Sequence, residues 1–507
     1  MSKIHSTSAS IAALSIFMTG TAAFADVSSQ DVWDDWKSYM TGFGYTVEGE
    51  ETTSGADVMV KDVTMSMSMP DGAGDFAIQM PELSFTDNGD GTVSVSIPPV
   101  MPMMMTMNAP DAENVEMNID YITDGFNMTV SGDMNDMLYE YNAVSLSVSL
   151  GKLVVDGTPI EVGAAMLSMA DVTGSTAMKV GNLRMSDQSL TAGPVKYDLD
   201  FVDPDSGASF KMVGNYETMG FNGKGSFPTE MNPDDMAAML KAGFGFDGGF
   251  TYTGGSQTLN AEEGGSPIQG SSSSDSGNLQ VAMDEGRLAY SAVSNNMKVM
   301  MVGGDIPFPI ELALQKGAFN LSMPISKDDG EQDFAFGFEM GDFTMSDMIW
   351  GMVDPAQALP RDPATLAIDL TGKAKLLFDI MDPTQMEAVD RGETMPGELN
   401  EVTLNALTVR AAGAELTGEG AFTFDNSDLE TFDGMPAPDG SVDLALSGGN
   451  GLLDKLVGMG LLPEEQAMGA RMMMGLFAVP GAGEDSLTSK IEVKSDGQIL
   501  ANGQRLK

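Results

Sequence analysis

Residues 144–150 read Val144, Ser145, Leu146, Ser147, Val148, Ser149, Leu150, apolar and polar in strict alternation. A β-strand sends successive side chains to opposite faces, so this run predicts a strand with one dry and one wet side. The same two-residue beat recurs along most of the chain. Val63, Met65, Met67 and Met69 alternate with Thr64, Ser66 and Ser68, and Phe334, Phe336 and Phe338 share one side of a later run. Strands 83–86 and 92–97 flank Asp87-Asn88-Gly89-Asp90-Gly91, where Asn-Gly and Asp-Gly supply the positive φ angles of a hairpin. Two runs, 144–150 and 152–155, are predicted as separate strands, and 177–185 as one. Met101, Met103, Met104, Met105 and Met107 form a Met-rich run whose Pro98, Pro99 and Pro102 suit an edge or crossover.

Helical spacing interrupts this beat in five places, near 31–40, 233–242, 345–352, 452–459 and 464–477. In the first, Val32, Trp33, Trp36, Tyr39 and Met40 share a face, which predicts a helix docked on a sheet. Gly42-Phe43-Gly44 ends it before Tyr45, and Gly243-Phe244-Gly245 ends the second before Phe246. This recurrence suggests an internal duplication into halves 26–228 and 229–507. Residues 254–278, with Gly264-Gly265 and Ser271–Ser274, are polar and aperiodic and read as a flexible loop. The expected fold is mainly β: elongated, curved, mostly antiparallel sheet with a few short packed helices.

Composition narrows the chemistry. The chain has 507 residues, no Cys and one His, His5. Residues 1–25 read as a secretory signal peptide: Lys3, the apolar stretch 11–18, and an Ala23-Phe24-Ala25 site with cleavage between Ala25 and Asp26. Its apolar stretch is shorter than the roughly 20 residues of a membrane span. Removal takes His5 with it. What remains cannot build a Ser-His-Asp or Cys-His site or offer the usual zinc ligands. No cofactor is expected, and a carboxylate-only hydrolase is the one catalytic exception, carried by nothing more than abundant acids. With 25 basic against 74 acidic residues, the net charge of −49 excludes nucleic acid as a partner. The expected address is the periplasm, with no transmembrane anchor after cleavage.

Four places resemble one bacterial family known as a domain of unknown function, DUF2125. They are Val32-Trp33-Asp34-Asp35-Trp36 running into Gly44-Tyr45; Asn88-Gly89-Asp90-Gly91-Thr92-Val93; Asp354-Pro355 through Leu359-Pro360-Arg361-Asp362-Pro363; and the end, with Leu453-Asp454-Lys455-Leu456 and Asp496-Gly497-Gln498. The resemblance extends over 26–507 and implies a secreted envelope protein with no assigned activity. It brings no catalytic, cofactor or metal residues. Arg361 reads as an ion-pair partner of Asp354 or Asp362.

The expected function is therefore non-enzymatic: binding of a lipid or other hydrophobic ligand along an open β trough. The alternatives are a scaffold acting through contacts with an envelope protein, or a calcium-dependent acidic module built on loops such as 87–91.

Overall fold

The computed structural model describes residues 26–69, 74–108, 114–160, 162–203, 206–232, 235–304, 306–392 and 394–507. The expected signal segment 1–25, with Ala25 and His5, lies outside them, as do Pro233 and Asp234 of the second predicted helix.

Helix α1 (Ser29–Gly42) opens the fold. It is followed by β1 (Thr46–Ser54), β2 (Asp57–Met69), β3 (Gly74–Asp87), β4 (Val93–Ser96), β5 (Val100–Asn108), β6 (Val115–Asp124) and β7 (Asn127–Asp133). Next come β8 (Asp136–Val155), β9 (Thr158–Ile160), β10 (Val162–Val180), β11 (Leu183–Ala192), β12 (Val195–Val202), β13 (Ser209–Tyr216) and β14 (Thr218–Pro228). The second half begins with α2 (Met236–Lys241), then β15 (Gly245–Glu263), β16 (Ser266–Met283), β17 (Arg287–Gly303), β18 (Ile306–Pro324) and β19 (Gln332–Met345). After α3 (Asp347–Val353) and β20 (Ala364–Leu376) come α4 (Pro383–Asp390), β21 (Gly397–Ala411), β22 (Ala414–Asp425) and β23 (Ala437–Ser447). Helices α5 (Gly449–Gly458) and α6 (Glu464–Phe477) precede β24 (Val479–Pro480), β25 (Ser486–Val493), β26 (Ile499–Ala501) and β27 (Gln504–Arg505).

All 27 strands among the described residues belong to one antiparallel sheet, so the protein is mainly β. From β15 to β23 each strand pairs with the next in sequence. Further towards the N-terminus, long strands face pairs of short ones: β8 pairs with both β6 and β7, β10 with β11 and β12, and β15 with β13 and β14. The ladder does not close: among the described residues β1 pairs with β2 alone and β27 with β26 alone.

A line of irregular backbone crosses this sheet. Asp171, Gly254, Asn296 and Asp342 have positive φ inside β10, β15, β17 and β19. Gly, Asn and Asp tolerate that conformation best. At the same level the short strands break, at Gly193-Pro194 between β11 and β12 and at Glu217 between β13 and β14. Ala170 N–H donates to the Pro194 carbonyl (3.0 Å), Glu217 N–H to that of Thr253 (2.9 Å), and Asn296 Nδ2 to Asp275 Oδ2 (2.8 Å). The line divides the strands into two arms. An apolar cluster of Ala143, Leu146, Val172, Ala192 and Val195, with Leu190 and Tyr216, joins the arms across it.

The larger core lies beneath α1. Ser28 and Asp31 form a capping box at its start. Val32 and Trp33 then bury against Val58, Val60, Phe85, Val93 and Val130.

Three sequence expectations need correction. Residues 254–278 are not a loop: they form most of the β15–β16 hairpin, paired residue by residue from Phe246–Met283 to Glu263–Ser266. Their strand state comes from ladder bonds to β13 and β14 on one side and β17 on the other, not from side-chain periodicity. Residues 144–150 and 152–155 are one strand, β8, and 177–185 is divided by a turn between Val180 and Leu183. The ladder also runs unbroken through the 228/229 boundary, through β13 and β14 to β15.

Candidate functional site

The motif residues are structural. Trp33 is 2% exposed and its Nε1 donates to Glu51 Oε1 at 2.7 Å. Trp36 meets the Phe85 ring edge-on at 5.4 Å. Hydrogen bonds from Trp33 and Lys37 hold the Glu51 carboxyl below its ordinary pKa, against a smaller opposing effect of burial. Asp35 ties α1 to the sheet through Arg184 (2.6 Å) and the Tyr139 hydroxyl (3.0 Å). Burial, then the neighbouring Asp35 charge, pushes the Tyr139 phenol far up, so it stays a neutral donor.

Asp354 is fully buried. Its carboxylate accepts from Ala358 N–H (2.9 Å) and Leu359 N–H (2.8 Å), closing the segment through Pro355 on itself. Burial pushes its pKa up, yet those two N–H groups and the Arg361 charge outweigh it and hold the acid low. Leu359 is buried, and Pro360 packs beside Gly413. Arg361 pairs with neither Asp354 nor Asp362 but with Asp347 on α3, its guanidinium 5.8 Å from the Trp350 ring centroid. The stretch up to Asp362 and Pro363 thus clamps α3 ahead of β20, which spacing along the chain could not disclose. Asp26 lies against the 87–91 turn: a Cβ on Gly91 would fall 2.6 Å from Asp26 Oδ1. In that turn Asp87 accepts from Gly89 N–H (2.7 Å), and Asp90 from the Thr92 hydroxyl (2.7 Å). Among the described residues no group of three or more His, Cys, Asp or Glu is placed to hold a metal.

Two surfaces stand out instead. Directly paired residues share a face. One cross-strand row runs Leu190, Phe221, Phe250, Leu279, Ala292, Phe319, Phe338, Ile368, from β11 to β20. Beside it run Val281, Tyr290, Leu321, Phe336 and Leu370. The reverse face at the same strands carries Gln280, Ser291, Asn320, Gly337 and Asp369. The second row leads back through Gly248, Gly223, Gln188 and Thr176 to Tyr139. The apolar rows therefore lie on the face that α1 covers. Beyond α1 they are open: Phe250 is 48% exposed, Leu279 46% and Phe319 39%.

The second surface is a groove of about 900 Å³ in the other arm, crossing β10, β12, β13 and β15 to β19. Val195 and Tyr197 point to the apolar side, so Lys196 and Asp198 between them point to the reverse, and the groove follows these alternate positions. One wall is the row Asp198, Val213, Thr258, Ser271, Met300, Glu311, continued by Met166; the other is Lys196, Asn215, Ser256, Ser273, Lys298, Ala313. The sheet thus carries an exposed apolar face and, on its opposite side, a mixed groove. No sequence signal singled out Lys196 or Lys298, and the serines of the groove floor lay in the stretch read as a loop.

The molecule is an open, single-sheet β protein with an exposed apolar face. The chain belongs to the DUF2125 family, described as an uncharacterized protein conserved in bacteria, whose family model matches residues 231–505. The match begins just ahead of α2 and includes the Asp354–Pro363 and C-terminal motifs; the Trp33 and Asn88 motifs lie outside it. No curated protein and no solved structure matches the chain.

Proposed function

We propose that this is a non-enzymatic protein of the bacterial envelope that holds a lipid or other hydrophobic partner against its open apolar face. The observation that carries the reading is the pair of apolar rows from Leu190 to Ile368, exposed beyond α1 over strand after strand. Burying such side chains gains about 25 cal/mol per Å², enough to hold a ligand without polar recognition. The features of 1–25 support export to the periplasm. No described helix is long and apolar enough to cross a membrane.

The test uses the exported chain and the probe N-phenyl-1-naphthylamine, with organic extraction and mass spectrometry of the purified protein alongside. Wild type should bind the probe and carry extractable lipid. F250D/F319D should bind the probe about tenfold more weakly or less, with unchanged circular dichroism. Unaltered binding in that variant sinks the reading.

A second reading, a scaffold acting on an envelope protein, rests on exposed methionines at helical spacing: Met468 (61%) and Met472 (71%) on α6, and Met348 and Met352 on α3. Met-rich faces adapt to varied partners. Cross-linking in envelope extracts that is lost in M468S/M472S, with probe binding intact, would favour it.

A further inference from the structure

The methionines of β5 take no part in either reading above. Along one face of this strand every position is a methionine: Met101, Met103, Met105 and Met107. Met105 pairs directly with Met117 of β6 and, on its other side, with Ile78 of β3, which pairs with Met65 of β2. Beside that row, Met107 pairs with Phe76, and Phe76 with Met67. Val63 and Met80, next on the same face of β2 and β3, pack into the core beneath α1. The methionines therefore lie on the side that α1 covers, near the end of that helix, where a Cβ on Gly44 would stand 3.8 Å from the Met67 Sδ. Met103, Met105 and Met117 are half-buried and Met107 is 36% exposed, so solvent reaches the patch. The reverse side of these strands carries Ser66, Ala77, Thr106 and Glu116, with Met104 between Gln79 and Asn118.

Packing alone does not ask for this composition. A half-buried strand face favours β-branched and aromatic side chains, and β6 uses Val115, Ile119 and Tyr121 opposite Met107, Met103 and Met101. What methionine adds is a thioether, a soft and uncharged sulfur on a chain with three rotatable bonds. Directly opposed Cβ atoms on a sheet are about 4.5–5.5 Å apart and diagonal neighbours about 7–8 Å. The flexible ends of Met103, Met107 and Met117 can therefore converge on that of Met105. Thioether sulfur suits Cu(I), whereas carboxylates suit calcium and magnesium. The chain has no Cys, so thioethers are its only sulfur ligands, and its net charge of −49 draws cations of every kind.

We infer that Met105 and Met117, with Met103 and Met107 beside them, form a site for a soft monovalent cation of the Cu(I) class. The site does not rest on the hydrophobic-partner reading. An apolar partner is held by buried area, which leucine supplies as well as methionine; the ion needs sulfur.

The experiment is calorimetric titration of the exported chain with Ag(I), a redox-stable ion of the same class, in chloride-free buffer, with native mass spectrometry for stoichiometry. Met→Leu conserves volume and removes the sulfur. M105L/M117L should weaken the tightest Ag(I) site about a hundredfold, leaving the melting temperature nearly unmoved and N-phenyl-1-naphthylamine binding intact. M103L/M107L, which spares the central pair, should weaken it about tenfold and tests the site independently. M104L, on the reverse side of the same strand, should leave Ag(I) affinity as it is. Excess Ca(II), a hard ion that takes oxygen ligands, should not displace Ag(I). Unchanged Ag(I) affinity in M105L/M117L, an equal loss in M104L, or displacement by Ca(II) would each overturn the assignment. Unaltered naphthylamine binding in F250D/F319D would count against the apolar face and not against this site.

Discussion

Asp379 shows how single acids do structural work in so acidic a chain. It is 7% exposed and accepts from Lys241 Nζ of α2 (2.6 Å) and from Lys327 N–H (2.8 Å). Burial alone would raise its pKa; the Lys241 and Lys327 hydrogen bonds outweigh it, and the acid is held below its usual range. A depressed folded-state pKa contributes stability above the unfolded value of about 3.9 and loses it as pH falls through the folded value. Asp379→Ala should therefore cost about 2 kcal/mol at neutral pH, with a smaller gap at pH about 3. Urea unfolding of both proteins at the two pH values checks this, and a gap that does not shrink contradicts it. Residue roles were legible where the partner is local or the face is patterned, as with Trp33 and Trp36 on α1. They were not legible for Arg361, whose partner Asp347 depends on how α3 folds back.

The β15–β16 hairpin carries the lesson at the scale of elements. One of its glycines lies under a tyrosine: a Cβ on Gly277 would fall 2.5 Å from the Tyr252 ring, as one on Gly214 of neighbouring β13 would fall 2.3 Å from Tyr197. Each ring covers the glycine directly across the ladder, Tyr252 over Gly277 and Tyr197 over Gly214. This cross-strand cover compensates for the glycine's missing side chain. Amides of 254–278 engaged in the ladder should exchange with solvent as slowly as those of β17. Hydrogen exchange by mass spectrometry tests this, and fast exchange across the segment would restore the loop reading. Strict alternation made 144–150 readable as a strand, although of its apolar residues only Leu146 is buried and Val144 is 60% exposed. Serine and glycine leave no such contrast, so 254–278 was not. Helix α4 was missed although Asp382, its N-cap, stands before Pro383 at the first turn, because Met386, Ala388 and Val389 are too few apolar residues to mark a face.

For the whole molecule the governing fact is that the sheet has ends but no seam at its middle. The repeated Gly-Phe-Gly motifs do recur in space: Phe43 and Phe244 both pack on Phe227, at 5.5 Å and 6.1 Å. Their repetition was readable; their meeting was not. A fragment ending at 228 would bare the edges of β13 and β14 that now pair with β15. Unpaired edges recruit other strands. Fragment 26–228 should therefore self-associate in sedimentation velocity, and a well-folded monomer would show that the halves are independent.

Among the described residues the strands from β16 to β22 touch, through the ladder, only the strand before and the strand after. Such a molecule behaves as a one-dimensional lattice, its stability a sum over adjacent couplings. Excising or inserting two consecutive strands restores both chain direction and inside-outside parity. The length of this architecture can therefore change in paired increments, each adding or subtracting a fixed width of surface without re-specifying the remainder.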